Sequence, residues 1–193
     1  MTDEVKVDVR RTGRRFDAEA VLDLAADAQT VWDTITDYGA LPRFMPGIRA
    51  CRVIERKGQG NDVEHLVVEQ QGEFRFLLFA QAMTVLLNIE HRHLRVAEAK
   101  AVSFDLGLFK RRAIDVFEGR YELMPAAAAR RRPPRVRLRY TAVIGLRLPP
   151  PPTIGSIAVR QNLTAQLAAV AAEIARRTAR PGSSSRSEVG SSN

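Results

Sequence analysis

The chain has few side chains suited to acid–base chemistry, and its three histidines are the first to consider. His65 alternates with Val63 and Val67, so on a strand its imidazole could reach the interior of a sheet. Imidazole exchanges protons near neutral pH, which makes His65 the one histidine we consider for general acid–base catalysis. A purely structural role for His65 is the alternative.

His91 and His93 flank Arg92 and would share one face of a strand, a spacing that could suit two metal ligands. The sequence indicates no third ligand, and the pair lies near the end of a predicted hairpin. We therefore interpret both histidines as residues of a solvated turn, and we predict neither a metal site nor a cofactor.

Glu69, Tyr121 and Tyr140 complete the set of candidate acid–base residues. Glu69 and its neighbours Gln70 and Gln71 could also orient a ligand oxygen through hydrogen bonds. We find no nucleophile elbow, phosphate-binding loop or dinucleotide-binding fingerprint in the sequence. Any catalysis would therefore depend on this small set of residues.

The secondary-structure elements that would position these residues are, from the N-terminus, two strands and then a helix. Alternating valines from Val5 to Val9 predict an exposed or edge strand, and residues 20–26 predict a second strand. Asp27 is a suitable N-cap for the helix that follows. Prolines and glycines between residues 37 and 48 then allow at most one more short helix.

From Cys51 to Ile144 apolar residues recur at every second position, which is typical of strands joined by short turns. We predict six or seven antiparallel strands in a strongly curved sheet, with a loop at residues 126–134. After a run of prolines, residues 153–180 have the apolar spacing of one long helix. The fold class is therefore α+β, with an apolar cavity expected between the helix and the sheet.

The alternation also assigns particular residues to a separate strand and to one face of the sheet. We predict a break at Gly72, followed by a separate strand over residues 74–79. Val102, Phe104 and Leu106 are assigned to one apolar face. A β-bulge would move part of such a set to the opposite face.

The length of 193 residues suits one domain. We divide the chain into an N-terminal segment at 1–16, a single domain at 17–180 and a disordered tail at 181–193. No stretch approaches the roughly 20 apolar residues of a membrane span, and no signal-like run is present, so we predict a cytoplasmic protein. The single cysteine, Cys51, excludes an intrachain disulfide, and we interpret it as structural.

The formal net charge is +8, and arginines dominate the basic residues. The main clusters are Lys110–Arg112, Arg130–Arg132 and the alternating stripe Arg135, Arg137 and Arg139. They are spread along the chain without interleaved aromatic residues, which makes nucleic acid or the ribosome a less favoured partner. Two interpretations stay open: a solvated surface, or a rim that docks peripherally on an anionic inner membrane.

Several short motifs resemble one known superfamily. They are Val31-Trp32, Thr36-Asp37-Tyr38, Leu41-Pro42, Phe44-Met45-Pro46-Gly47-Ile48, Phe117-Glu118-Gly119-Arg120-Tyr121 and Leu138-Arg139-Tyr140. From about residue 17 to 177 the chain resembles the START-like (helix-grip, SRPBCC) superfamily, with the closer likeness to its coenzyme Q-binding and polyketide cyclase/dehydrase branch. The resemblance implies a curved antiparallel sheet wrapped around the long C-terminal helix, two short helices after the first core strand, and an internal cavity.

Candidate ligand-binding residues lie on the predicted concave face, on the long helix and in the proline-rich segment. They are Phe44, Phe74, Phe76, Leu78, Val85, Leu87, Phe104, Leu106, Phe117, Tyr121, Leu138, Tyr140, Leu163 and Leu167. The alternative is that these side chains fill a solid core. Phe44, with Met45 and Ile48, either gates the cavity or plugs one end of the core.

The resemblance implies binding of a hydrophobic small molecule such as a quinone, a lipid or a polyketide-like aromatic, carried or sequestered in the cavity. One alternative is a polyketide cyclase or dehydratase that uses His65, Glu69, Tyr121 or Tyr140. Another is an interaction protein, because relatives in this branch resemble ribosome-association toxins. The sequence does not predict the oligomeric state.

Overall fold

The computed structural model describes residues 5–60, 63–76, 79–105, 114–125, 134–147 and 154–179. The strands are β1 (Val7–Thr12), β2 (Arg15–Leu24), β3 (Ile48–Gly60), β4 (Val63–Phe76), β5 (Phe79–Arg92), β6 (Val96–Asp105), β7 (Ile114–Pro125) and β8 (Val136–Leu146). The helices are α1 (Ala28–Thr36), α2 (Leu41–Phe44) and α3 (Ile154–Thr178). The predicted tail at 181–193 lies outside the described residues.

The strands form one curved antiparallel sheet in the order β1-β2-β8-β7-β6-β5-β4-β3. Strands β1 and β3 are its two edges, and the long helix α3 follows the last strand. The predicted helix-grip architecture is therefore confirmed. Within the described residues the sheet has eight strands, rather than the six or seven predicted.

Helix α1 begins at the predicted N-cap. The Asp27 carboxylate accepts hydrogen bonds from the backbone N–H and the hydroxyl of Thr30, each at 2.8 Å. These bonds lower the pKa of Asp27, because they stabilise its charged form. Val31, Trp32 and Ile35 are buried along one side of α1, so the helix packs its apolar face into the core.

Helix α3 buries the apolar stripe that its sequence predicts: Val159, Leu163, Leu167, Val170 and Ile174. A cluster of charged residues near the C-terminus of α3 connects this helix to the end of α1. Glu173 accepts hydrogen bonds from Arg176 and Arg177, and Arg177 also donates to Asp37 at 3.0 Å. The bond from Arg176, helped by Arg177, lowers the pKa of Glu173 to about 2, although burial opposes it.

The N-terminal hairpin is the first difference from prediction. The second strand starts at Arg15, not at residue 20, and pairs with β1 through a tight turn at Gly13, whose φ of 62° favours glycine. Strand β2 then pairs along its whole length with β8. The division of the chain at residue 16 stays a prediction, although β2 runs across that position.

Gly72 does not break a strand, because β4 continues through it to Phe76. A Cβ atom at Gly72 would lie 2.2 Å from the carbonyl oxygen of Gly47, so glycine is needed for close approach of two backbones. Glu73 N–H donates to that same oxygen at 2.7 Å. The separate strand predicted at 74–79 is wrong: residues 74–76 are the end of β4 and Phe79 is the start of β5, and Phe76 pairs in register with Phe79.

A β-bulge in β6 corrects the assignment of Val102 to the same face as Phe104. The register between β5 and β6 shifts between Leu86 and Leu87, which leaves Val102 without a partner. Val102 is 61% exposed, whereas Phe104 is buried and pairs with Val85. The bulge thus keeps Phe104 on the inner face after the alternation has slipped by one residue.

Candidate functional site

Open space remains between helix α3 and the inner face of the sheet. We call one part the outer chamber, with a volume of about 130 Å³. Its apolar lining comes from five strands and α3: Ile48, Met83, Val85, Leu87, Phe104, Ile114, Phe117, Ile144, Val159 and Leu163. Gln70, Asn162 and Gln166 add polar groups, and Gly47, Gly72 and Glu73 complete the lining.

A second space, the inner chamber, lies deeper along the helix and has a volume of about 110 Å³. It is lined by Ile35, Tyr38, Leu41, Met45, Gln70, Leu87, Ile89, Ala97, Ala99, Phe117, Gly119, Tyr121, Tyr140, Gln166 and Val170. Gln70, Leu87, Phe117 and Gln166 line both chambers and so form the boundary between them.

A surface groove of about 540 Å³ adjoins the outer chamber. The groove and the outer chamber share Gly47, Ile48, Glu73, Asn162 and Gln166. An ion pair between Arg49 and Glu73, with nitrogen and oxygen 2.6 Å apart, stands at this boundary. The three spaces thus adjoin one another in the order groove, outer chamber, inner chamber.

Tyr121 and Tyr140 face each other across β7 and β8 and give the inner chamber its polar character. Their ring centroids are 4.7 Å apart with an angle of 44° between the planes. Burial raises the pKa of both hydroxyls, because it disfavours the phenolate. At neutral pH the pair can therefore donate hydrogen bonds but does not supply a base.

Tyr38 reaches the inner chamber from the turn between α1 and α2, and its hydroxyl lies 2.6 Å from Nε2 of His91. Nδ1 of His91 lies 3.3 Å from a carboxylate oxygen of Glu64, which also pairs with Arg56. Burial lowers the pKa of His91, so the ring is neutral at neutral pH. In that state Nδ1–H donates to Glu64, and Nε2 accepts a hydrogen bond from the hydroxyl of Tyr38.

The interpretation as a residue of a solvated turn is wrong for His91 and agrees with the structure for His93. His91 is only 6% exposed and packs edge-on against Trp32, with ring centroids 5.4 Å apart. Its register opposite Ala97 places it on the inner face, before the turn begins. His93 lies beyond the strand and is exposed, although its ring also contacts Trp32. The described residues contain no cluster of three or more potential metal ligands.

The two possible catalytic residues His65 and Glu69 lie on the outer face of β4 and line neither chamber. Leu66, Val68 and Gln70 occupy the alternate, inward positions. His65 is exposed in a shallow surface depression. Glu69 pairs with Arg52 of the neighbouring strand at 2.9 Å, and Gln71 is also exposed.

The other candidate residues divide between the chambers and the solid core. Val85, Leu87, Phe104, Phe117 and Leu163 line the outer chamber, and Leu138 and Leu167 are buried in the core. Phe44 packs against that core, while its neighbours Met45 and Ile48 line the chambers. The Leu78 and Leu106 positions, and the side chains of Phe74 and Phe76, lie outside the described residues.

The sequence interpretation missed Tyr38, Glu64 and Gln166. For Glu64 and Gln166 the signal was a polar residue at a position that the strand or helix period turns inward, which is unusual unless the residue has a partner. Tyr38 lies in a turn, where no period indicates its direction. Cys51 is also turned inward, and burial raises the pKa of its thiol to about 11, as expected of a structural cysteine.

Carboxylates on the outer face neutralise two arginines of the predicted basic stripe. Arg137 pairs with Asp23 at 2.9 Å, and Arg139 pairs with Glu19 at 2.8 Å. Both pairs join β8 to β2. In the part of the chain that the structure describes, no helix is long and apolar enough to cross a membrane.

A family model described as polyketide cyclase / dehydrase and lipid transport matches residues 24–170. The chain belongs to this family. The matched region runs from the end of β2 into α3, and so includes the residues of both chambers. No significant match was found among curated proteins.

Several solved structures have the same fold as this chain. The chain is similar to a START superfamily protein from Mycobacterium smegmatis (16% identity, TM-score 0.67, 84% of this chain and 99% of that one). It is also similar to the Zhui aromatase/cyclase from Streptomyces sp. R1128 (17%, 0.61, 86% and 97%). A STAR-related lipid transfer protein from Xanthomonas axonopodis gives 16%, 0.61, 90% and 94%. At these identities the likeness shows the fold alone.

Proposed function

We propose that this protein carries or sequesters a hydrophobic small molecule, such as a quinone, a lipid or a polyketide-like aromatic, between α3 and the sheet. One observation carries the proposal: two adjoining chambers with mainly apolar linings lie behind a surface groove. Burial of apolar ligand surface contributes about 25 cal/mol per Å², so about 300 Å² would contribute roughly 7 kcal/mol before the costs of association.

The volumes limit the size of the ligand. A dry cavity of about 150 Å³ binds benzene in other proteins, so each chamber has room for about one six-membered ring. A larger molecule would place its ring system in the chambers and its remaining part in the groove of about 540 Å³. We therefore expect an elongated ligand with a compact cyclic end.

The chambers give the enzyme alternative little support: among the described lining residues the only carboxylate is Glu73, at the boundary with the groove, and it is paired with Arg49. With His65 and Glu69 on the outer face, Tyr121 and Tyr140 are the remaining candidates, and their raised pKa values keep them protonated. A cyclase or dehydratase needs a group that removes a proton as well as groups that donate one. Binding is therefore the function that the site supports best.

The first prediction tests occupancy of the outer chamber. Leu163→Trp adds a large ring to this chamber, so we expect binding of the neutral fluorescent probe N-phenyl-1-naphthylamine to fall at least tenfold. Ile157→Trp, on the same helix but 51% exposed, is the matched control and leaves binding within twofold. The measurement is a fluorescence titration at equal protein concentration.

Circular dichroism and thermal unfolding establish that both variants are folded, since overpacking costs about 1–3 kcal/mol. Should Leu163→Trp not fold, Val85→Phe narrows the same chamber from β5. Native mass spectrometry of the purified wild-type protein gives a second readout, in which a lipid-like adduct is expected. Equal probe binding by the filled and control variants, or no binding by the wild type, would overturn the proposal.

A further inference from the structure

The inner chamber differs from the outer one in its polar groups. The chain contains three tyrosines, and Tyr38, Tyr121 and Tyr140 all line this one space. They come from three different parts of the fold: the turn after α1, β7 and β8. The amides of Gln70 and Gln166 join them, and none of the described residues lining this chamber carries a charge.

The three hydroxyls are not equivalent. Tyr38 has His91 as its partner at 2.6 Å. Among the residues that the structure describes, the hydroxyls of Tyr121 and Tyr140 have no hydrogen-bond partner, although Tyr140 is only 5% exposed. The described part of the protein therefore leaves the hydrogen-bonding capacity of both hydroxyls unused.

Both hydroxyls border open space and are not sealed in the core. No described side-chain nitrogen or oxygen is both fully enclosed and without a partner. At Gly119 an added Cβ would lie 3.4 Å from the hydroxyl oxygen of Tyr140, so this glycine leaves room beside the donor. The chamber therefore presents two O–H groups to whatever occupies it.

We propose that the inner chamber binds the neutral, oxygen-bearing ring of the ligand, with a carbonyl or similar oxygen that accepts hydrogen bonds from Tyr121 and Tyr140. This inference rests on the proposed function and names the chemistry of the ligand's buried end. A carboxylate is disfavoured because the lining offers no cation, and an ammonium because it offers no anion. The volume of about 110 Å³ limits the ring to about six members.

The test compares two probes of the same shape. Acetophenone carries a carbonyl oxygen, and α-methylstyrene replaces that C=O with C=CH₂, so the pair differs in one hydrogen-bond acceptor. We expect the wild-type protein to bind acetophenone three- to tenfold more tightly, as one neutral hydrogen bond would give. NMR titration of the methyl resonances measures both dissociation constants.

Tyr140→Phe and Tyr121→Phe each keep the ring and remove one donor. In at least one of them we expect the preference for acetophenone to fall to twofold or less, while α-methylstyrene binding stays within twofold of wild type. Thr141→Val, next to Tyr140 on the same strand, removes a hydroxyl on the opposite face and keeps the full preference. Each variant is checked for folding by its NMR spectrum.

The outcomes separate the two proposals. If neither probe binds the wild-type protein, the proposed function itself fails for ring-sized ligands. If α-methylstyrene binds as tightly as acetophenone, or if both Tyr→Phe variants keep the preference, only the donor assignment is overturned, and the hydroxyls then face water in the chamber. An equal loss of both probes would also overturn it, because shape and not hydrogen bonding would then decide binding.

Discussion

The imidazole of His91 links the edge of the sheet to the inner chamber. It lies between Glu64, which pairs with Arg56 of the edge strand β3, and Tyr38, which lines the chamber. Because the ring is buried, the neutral form is favoured over the charged form. The proton on Nδ1 is thereby directed to Glu64, and the hydroxyl of Tyr38 is held in one orientation.

This burial predicts a dependence of stability on pH. The pKa of His91 in the folded protein lies below its ordinary value of 6.5, so between those two values the unfolded chain binds more protons. Stability from this residue is therefore complete above about pH 6.5 and falls as the pH drops below it. We expect the free energy of unfolding, measured in urea at pH 7.5 to 5.0, to fall less steeply in His91→Gln than in wild type. Parallel slopes for the two proteins would contradict the assignment.

The register of β4 explains why the site residues were only partly predictable. Over residues 63–71 the odd-numbered and the even-numbered positions each include two aliphatic residues, so the alternation did not identify the inner face. His65 was therefore placed inside and Gln70 was not distinguished from its neighbours. Tyr121 and Tyr140 were correctly placed because a strict alternation of apolar and charged residues surrounds each of them.

At the scale of elements, the backbones of Gly47 and Gly72 pass very close to each other. This close approach, called the crossing below, sets the position at which β3 begins to pair with β4. This crossing forms one wall of the outer chamber and the adjoining groove. The backbone of Gly47 has a φ of 83°, and its carbonyl oxygen accepts from Glu73 N–H. The sequence marked Gly72 only as a break, because nothing local indicates that a distant backbone approaches it.

Because the two backbones are so close, one methyl group added at Gly72 is predicted to lower the stability of the protein strongly. Gly72→Ala would place Cβ 2.2 Å from a backbone oxygen, so the two segments must separate. We expect the free energy of unfolding to fall by about 2–4 kcal/mol in urea denaturation. Gly39→Ala is the matched control, because no atom lies within 4 Å of its Cβ position, and it should change stability by less than about 0.5 kcal/mol. Equal stabilities of the two variants would show that the crossing is not tight.

The fold as a whole was predictable because apolar residues recur with one period over long segments, and the change from one period to the next is clear. The N-cap at Asp27, the alternation after Cys51 and the apolar stripe of α3 all agree with the structure. The β-bulge at Val102 and the exact hairpin ends were not predictable, since they depend on pairing with neighbouring strands. These are also the features that decide which side chains line the chambers.

The net charge of +8 says less about binding partners once the positions of the charged side chains are known. Arg137 and Arg139 are already paired with carboxylates, so they have little charge left to attract an anionic surface. We expect Arg137→Gln combined with Arg139→Gln to leave co-sedimentation with phosphatidylglycerol-containing vesicles unchanged. Peripheral membrane contact stays a prediction, and it would depend on clusters outside the described residues, Lys110–Arg112 and Arg130–Arg132. A marked loss of vesicle binding in the double variant would contradict this view of the outer face.

The pairing of β2 with β8 has a consequence for how the chain is made. Leu24 pairs with Val136 and Arg15 with Gly145, so the N-terminal hairpin meets its partner strand only after about a hundred more residues have been translated. At the usual pace of synthesis this delay is on the order of ten seconds. During that time one edge of the nascent hairpin is open, and α3, which packs on the inner face of the sheet, is translated after β8. A slowed or truncated translation product would therefore expose the apolar lining before any ligand could occupy it.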